Sequence, residues 1–202
     1  MINTDHMVSN NQVSKKPSIK TQILLAHTAS SIEDYFTKIS NRHNGAYDAS
    51  FTFTIGLDGQ IYQHFSPLHY SNLFGVPEID SQIISIGLEN VGYLTRKSVG
   101  GDHFDWKGSI YNGKIHGMMW RGHNSWAWYD ANQIESMLQV ISELIKEHHI
   151  KSVFSGTNLP IEEAKEFQGV LNRSNYAKCY YDLSPAALPY FEHINNTIKT
   201  MK

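Results

Sequence analysis

Two short runs of apolar residues predict buried strands, and each run ends in an ionisable side chain. "QILLAH" (22–27) carries consecutive aliphatic residues up to His27, and "SQIISIGLEN" (81–90) carries a similar run up to Glu89. Unbroken apolar runs of about four to eight residues are typical of strands that are covered on both faces. Side chains at strand ends are well placed to form a site, because ligands of α/β sheets gather there.

Two other segments have the periodicity of amphipathic helices. "SSIEDYFTKI" (30–39) offers Ser30 or Ser31 as an N-cap and then repeats apolar residues on one face. A second helix is predicted after Asp130, which is a suitable N-cap. Its apolar stripe consists of Ile134, Met137, Leu138, Ile141, Leu144 and Ile145.

The remaining patterned segments complete an α/β domain. "SFTFTIGLDGQIYQHF" (50–65) predicts a hairpin around the two-residue turn Asp58-Gly59. "IKSVFS" (150–155) predicts a short strand, and "SPAALPYFEHINNTI" (184–198) predicts a final helix. Strands that alternate with helices in this way are typical of the α/β class.

Composition divides the chain into an N-terminal arm and one domain that contains an insertion. Residues 1–18 are polar and contain no aromatic side chain, so we expect a flexible arm that buries too little apolar surface to become ordered. Residues 19–202 are predicted to form a single domain. Within it, a Gly- and Trp-rich stretch around 92–129 has no clear period and is interpreted as an insertion.

Charge and cysteine content exclude several classes of function. The 17 basic and 19 acidic residues give a net charge of −2, which does not favour nucleic-acid binding or attachment to an anionic membrane. The single cysteine, Cys179, cannot form an internal disulfide. No segment has the pattern of a signal peptide or of a transmembrane helix, so we expect a soluble protein.

Five motifs, taken in order, resemble the zinc-dependent N-acetylmuramoyl-L-alanine amidases, a family that includes peptidoglycan recognition proteins and phage lysins. The motifs are "ILLAHTASS", "SFTFTIGLDGQIYQ", "ISIGLENVG", "WYDANQIESMLQVISELI" and "YYDLSPAALPYF". The resemblance implies a central mixed β-sheet flanked by helices and a groove that binds one zinc ion and peptidoglycan. The segments "WRGHNSWAWYD" and "RSNYAKCYYDLSP" are most similar to those of proteins encoded by large tailed phages. This similarity implies a location in the host cytoplasm or the virion.

The resemblance also implies roles for individual residues. His27 and Asp182 match two of the family's three zinc ligands, and Glu89 matches the glutamate that supports the attacking water. Tyr180 stands where the family often has a lysine, and is therefore a second candidate catalytic residue. Zinc with an open coordination position lowers the pKa of bound water to roughly 7, and a neighbouring carboxylate can then accept its proton.

The chain departs from the family pattern at the remaining zinc ligand. In the predicted strand 150–155 and the residue after it, the expected histidine falls on Ser155 or Gly156, neither of which is a normal zinc ligand. Two alternatives follow. A loop histidine replaces the lost ligand and the chain is an active amidase, or the chain is a degenerate member that binds peptidoglycan or a protein partner. The candidate replacements are His64, His69, His103, His116 and His123.

Aromatic and basic residues are candidates for substrate binding. Trp120 and the other tryptophans of the insertion either stack on sugar rings or pack the insertion onto the domain. Arg121 and Arg173 either pair with carboxylates of the stem peptide or are ordinary surface residues. Cys179 is disfavoured as a substitute ligand, because an extended chain would point it away from Asp182.

Overall fold

The computed structural model describes residues 1–98 and 100–201. In chain order the strands are β1 (Ile2–Asn3), β2 (Gln22–His27), β3 (Phe53–Ile55), β4 (Ile61–Gln63), β5 (Ile83–Leu88), β6 (Tyr93–Arg96), β7 (His103–Phe104), β8 (Ile110–Tyr111), β9 (Ile115–Trp120), β10 (His123–Ala127) and β11 (Gly169–Asn172). The α-helices are α1 (Ile32–Asn41), α2 (Pro77–Asp80), α3 (Ala131–His148) and α4 (Phe191–Thr200).

The central sheet is mixed, with the strand order β1-β4-β3-β5-β2-β11. Only β3 and β4 run antiparallel, and every other neighbouring pair is parallel. β2 lies between β5 and β11, with His27 opposite Leu88 on one side and Leu25 opposite Asn172 on the other. Every residue of β2 and β5 is buried, which confirms both strand predictions.

Helices cover both faces of this sheet, as the mixed α/β architecture requires. α3 and α4 pack on one face, where Ile134 and Ile194 join the same apolar cluster as the strand residues Leu25 and Leu88. α1 packs on the other face, where Tyr35 contacts the cluster around Ala26. None of the helices in the described part of the chain is long and apolar enough to cross a membrane.

Both predicted helix starts are confirmed. Ser31 caps α1, where its hydroxyl accepts a hydrogen bond from the amide of Asp34. Asp130 caps α3 by accepting from the amide of Asn132. The predicted final helix begins as a 3-10 helix at Pro185–Tyr190 and continues as α4.

The predicted hairpin forms, but its loop is longer than two residues. β3 ends at Ile55 and β4 begins at Ile61, so residues 56–60 make the connection. Asp58 accepts a hydrogen bond from the amide of Gln60, and Gly59 adopts a φ of 84° that favours glycine. Asp58 and Gly59 therefore form the turn, as predicted, but the loop that contains them is longer than the predicted two residues.

The insertion is a small sheet of its own. β6 to β10 form a five-stranded antiparallel sheet in the order β8-β7-β6-β10-β9. Trp126 is fully buried, and its indole N–H donates to the carbonyl of Met118. The indole N–H of Trp128 donates to the Tyr190 hydroxyl. These two tryptophans thus pack the insertion internally and onto the domain.

One edge of β2 pairs with a strand that the sequence pattern does not predict. Residues 150–155 contribute only a single bridge between Phe154 and Val170, and the strand that pairs with β2 is β11. β11 has four residues, "GVLN", which are too few to show a period, and it begins with a glycine. The predicted short strand 150–155 is therefore reduced to this one bridge.

Residues 1–18, for which composition predicts a loose arm, lie along the domain in the structure. β1 pairs with β4, and the His6 ring stacks on Phe36 at 3.6 Å between ring centroids. The buried Gln12 amide donates to the carbonyls of Ile39 and Tyr47. The composition of a segment indicates how much apolar area it can bury, but it does not reveal buried hydrogen bonds such as those of Gln12.

Candidate active site

His27 and Asp182 meet in one cavity at the carboxyl end of β2. They are 155 residues apart in the chain, yet the backbone N–H of His27 lies 3.3 Å from Asp182 Oδ2. Both line a cavity of about 380 Å³. The structure therefore brings together the two residues that the family resemblance assigns to the metal site.

The His27 ring is buried between the Tyr129 hydroxyl and Gly92. Its Nδ1 lies 3.4 Å from the hydroxyl of the fully buried Tyr129. Its Nε2 faces Gly92, where an added Cβ would lie only 3.3 Å away, and the φ of 83° also favours glycine. Burial lowers the pKa of His27, Asp182 opposes that effect and Arg173 adds to it. A neutral imidazole is the form that this environment favours.

Asp182 forms an ion pair with Arg173. Their closest atoms, Asp182 Oδ2 and Arg173 Nη1, are 3.6 Å apart, and the Asp182 side chain is only 6% exposed. The guanidinium carbon of Arg173 lies 4.4 Å above the centre of the Tyr180 ring. Arg173 and Tyr180 therefore line the cavity together with His27.

The cavity wall includes six aromatic side chains and carries a surplus of positive charge. Lys38 and Arg173 are the cationic lysine and arginine side chains among the described lining residues, and Asp182 is the anionic one. Such a wall suits a ligand with apolar faces and carboxylate groups. The aromatic lining residues are Tyr47, Phe51, Tyr93, Trp106, Tyr180 and Tyr181.

The insertion contributes one side of the cavity. The indole N–H of Trp106 donates to the carbonyl of Ala29, at 2.7 Å. Lys107 forms an ion pair of 2.6 Å with Asp34 near the start of α1. Two polar contacts thus hold the β7–β8 connection against the segment that follows His27, and Trp106 stays half exposed at the cavity.

Glu89 is placed differently from the prediction. It is absent from the described lining of the cavity. Its Oε1 accepts from the amide of Ile32 at 3.1 Å, and its Oε2 accepts from the amide of Leu57 at 2.9 Å. The preceding residue, Leu88, faces the α3 side, so strand alternation turns Glu89 towards the free amides at the start of α1. Burial raises the pKa of Glu89, and the two amides oppose this.

Trp120 and Arg121 lie behind the cavity and are not in its described lining. The Arg121 guanidinium stacks on Trp120 at 4.1 Å, and its Nη2 lies 3.5 Å from the carbonyl of Asn158. Trp120 packs edge-on against Tyr181, which does line the cavity. Arg173 lines the cavity, whereas these two candidates lie beside Tyr181, and Arg121 interacts electrostatically with Asp182.

The five loop histidines that are candidate replacement ligands do not line the cavity in the described part of the chain. Each contacts another partner. His64 contacts Thr54 and the carbonyl of His6, His69 the carbonyl of Ser14, His103 the guanidinium of Arg96, His116 the Trp128 ring and His123 the Tyr93 ring.

On β11, the strand next to β2, Asn172 is the residue that shares a face of the sheet with His27. Neither Asn172 nor Ser155 is in the described cavity lining. The Ser155 hydroxyl donates to Asn175. Asn172 ends β11 opposite Leu25, two residues before His27, so the period of two puts Asn172 and His27 on the same face. Its buried amide donates to the carbonyl of Thr157. The short β11 offered no periodic signal that would have identified it.

The residues present do not fit a tetrahedral zinc site. His27 and Asp182 are two suitable ligands, whereas a catalytic zinc ion needs three protein ligands. No group of three or more His, Cys, Asp or Glu side chains with metal-binding geometry exists within residues 1–98 and 100–201. Asp182 is also already paired with Arg173.

Sequence and structure comparisons agree on the class of protein. The mixed sheet, with its cavity at the end of β2, defines an α/β domain of the amidase and peptidoglycan-recognition type. The sequence profile of the family described as N-acetylmuramoyl-L-alanine amidase matches residues 16–160. The chain belongs to this family. The match includes His27 and Glu89 and ends before Asp182. A search of curated protein sequences finds no significant match.

Solved structures with the same fold are distant in sequence. The N-acetylmuramoyl-L-alanine amidase LysC from Clostridium intestinale URNW aligns with a TM-score of 0.54 at 12% identity, over 98% of this chain and 97% of that one. A mutant endolysin from Bacillus subtilis gives 0.54 at 16% identity, over 98% of both chains. The structure of PlyL gives 0.51 at 14% identity, over 100% of this chain and 97% of that one.

Proposed function

We propose that the chain binds peptidoglycan through the muramyl stem peptide in the His27–Asp182 cavity and does not cleave it. Membership of the amidase family supports peptidoglycan as the ligand. The position of Glu89 supports binding over cleavage. Both of its oxygens accept backbone hydrogen bonds, and it is outside the described cavity lining, so it is not placed to accept a proton from water there.

The cavity wall supplies the two kinds of contact that a muramyl peptide needs. The half-exposed ring of Trp106 offers an apolar face to a sugar or to the lactyl group. Arg173 and Lys38 pair with carboxylates of the stem peptide. Trp120 and Arg121 would act only indirectly, because Trp120 supports Tyr181 from behind.

A second candidate function is hydrolysis of the bond between N-acetylmuramic acid and L-alanine. The specific observation in its favour is that His27 and Asp182, two of the residues that the family resemblance assigns to zinc, lie in one cavity. In this candidate Glu89 and Tyr180 are the catalytic residues. It requires a further metal ligand and a movement of Glu89 into the cavity.

Co-sedimentation with purified peptidoglycan sacculi tests binding, and mass spectrometry of the supernatant tests release of stem peptides. Cys179 is exposed and lines the cavity, so Cys179→Trp would fill it and Cys179→Ser is the matched control. We expect the wild type and Cys179→Ser to sediment with sacculi, and Cys179→Trp to lose at least tenfold in affinity.

Two results would overturn this proposal. Failure of the wild type to sediment would exclude peptidoglycan as the ligand. Release of many stem peptides with a free L-alanine amino terminus per protein molecule would show that the chain is an amidase. Loss of this release in Glu89→Gln would strengthen that conclusion.

A further inference from the structure

A buried carboxylate at Asp182 requires a positive partner. Its side chain is 6% exposed, and an ionised carboxylate at such a position must be paired. Two groups approach Oδ2, namely the backbone N–H of His27 and the guanidinium of Arg173. Of these, only Arg173 carries a full charge. The chain itself therefore supplies the cation that this carboxylate needs.

Arg173 is held at this position by the backbone around it. It follows Asn172, the last residue of β11, whose amide N–H donates to Asn175. The next residue, Ser174, donates its N–H to the carbonyl of Asp182 at 2.6 Å. Stacking on Tyr180 fixes the plane of the guanidinium. The position of the charge is thus set by a strand end, a backbone hydrogen bond and an aromatic ring.

We propose that Arg173 is the resident cation of this cavity and takes the place of a divalent metal, so that ligand binding does not depend on zinc. The part that concerns the ligand rests on the proposed function, and the part that concerns zinc does not. A guanidinium is always charged and needs no coordination sphere, so the site requires no third protein ligand.

A zinc ion and Arg173 would compete for the same carboxylate. Asp182 is the anionic side chain in the described lining, and a metal ion bound to it would lie next to the guanidinium. Like charges at that separation repel each other, and more strongly in a partly buried site than in water. Removal of Arg173 should therefore leave Asp182 and His27 free to bind zinc weakly.

Calorimetric titration of the purified full chain with zinc chloride tests this directly. We expect no saturable zinc binding by the wild type. Arg173→Lys keeps the charge and should also stay zinc-free, whereas Arg173→Ala should show weak but saturable zinc binding. The double variant Arg173→Ala/Asp182→Asn removes both charges, avoids an unpaired buried carboxylate and should lose zinc again.

Co-sedimentation with sacculi, with and without EDTA, adds the second readout. We expect EDTA to leave wild-type sedimentation unchanged and Arg173→Ala to reduce it at least tenfold. One equivalent of tightly bound zinc in the wild type would overturn the inference, as would loss of sedimentation in EDTA. If no variant sediments, the proposed function fails, while the zinc titration still decides the role of Arg173.

Discussion

Thr54 and His64 meet on the buried side of the β3–β4 hairpin, where Thr54 Oγ1 lies 2.8 Å from His64 Nε2. His64 Nδ1 lies 2.8 Å from the carbonyl of His6, and because a carbonyl only accepts, Nδ1 must carry the proton. Nε2 then accepts from the Thr54 hydroxyl. This arrangement stabilises the neutral ring, and burial lowers the pKa of His64 to about 4.

The free energy of unfolding should therefore fall as the pH falls from about 6.5 to about 4. In this window the unfolded chain binds a proton on His64 and the folded chain does not, so acid favours unfolding by at most about 3 kcal/mol. Urea denaturation at pH 7, 5.5 and 4.5 measures the effect. His64→Gln should reduce this slope, and an unchanged slope would assign the effect to other groups.

Deletion of residues 1–17 should lower the melting temperature by several degrees. The deletion removes the β1–β4 pairing, the His6 stacking and the Gln12 hydrogen bonds to Ile39 and Tyr47. Gln12→Ala alone should cost about 1–3 kcal/mol, because two buried carbonyls lose their donor. Lys16→Ala, at an exposed position, is the matched control. Equal melting temperatures for the full and shortened chains would support the loose arm that composition predicts.

Glu89→Ala should reduce the free energy of unfolding by about 1–3 kcal/mol. The carboxylate joins the first amide of α1 to Leu57 in the β3–β4 loop, and its loss leaves two N–H groups without their acceptor. Glu89→Gln should be less harmful, since it keeps one acceptor oxygen. Chemical denaturation of both variants measures the difference. Wild-type stability of Glu89→Ala would mean that the residue has no structural role.

Gly87→Ala should destabilise the domain by about 1–3 kcal/mol through overpacking. A Cβ at Gly87 would overlap the Phe51 ring, which lies directly against this glycine. Phe51→Leu in the same chain should recover part of the loss. Gly117→Ala is the control, because nothing lies within 4 Å of its added Cβ. Thermal unfolding of the wild type and these three variants measures the effects. Equal destabilisation by Gly87→Ala and Gly117→Ala would contradict the packing argument.

Some elements could be predicted from the sequence because their signals are local. The runs before His27 and Glu89 are long enough to identify buried strands, and Ser31 and Asp130 are capping residues at the start of strongly periodic helices. The pairing of His27 with Asp182 followed from motif order. These features depend on about ten neighbouring residues or on the family pattern.

Other features depend on partners far away in the chain and leave no local signal. β11 is recognisable only by its pairing with β2, so no local pattern points to Asn172. The side on which Glu89 lies depends on the free amides of α1 and the β3–β4 loop. The cavity wall formed by Trp106 depends on how a separate small sheet docks on the domain.

The separation of 155 residues between His27 and Asp182 has a consequence for how the protein folds. Contacts between distant parts of a chain form late, because closing a long loop costs entropy before the contact stabilises anything. β2 can pair with β5 early, but its other edge must wait for β11. During synthesis, a ribosome-bound chain that stops before residue 169 would carry β2 with one open edge and no cavity.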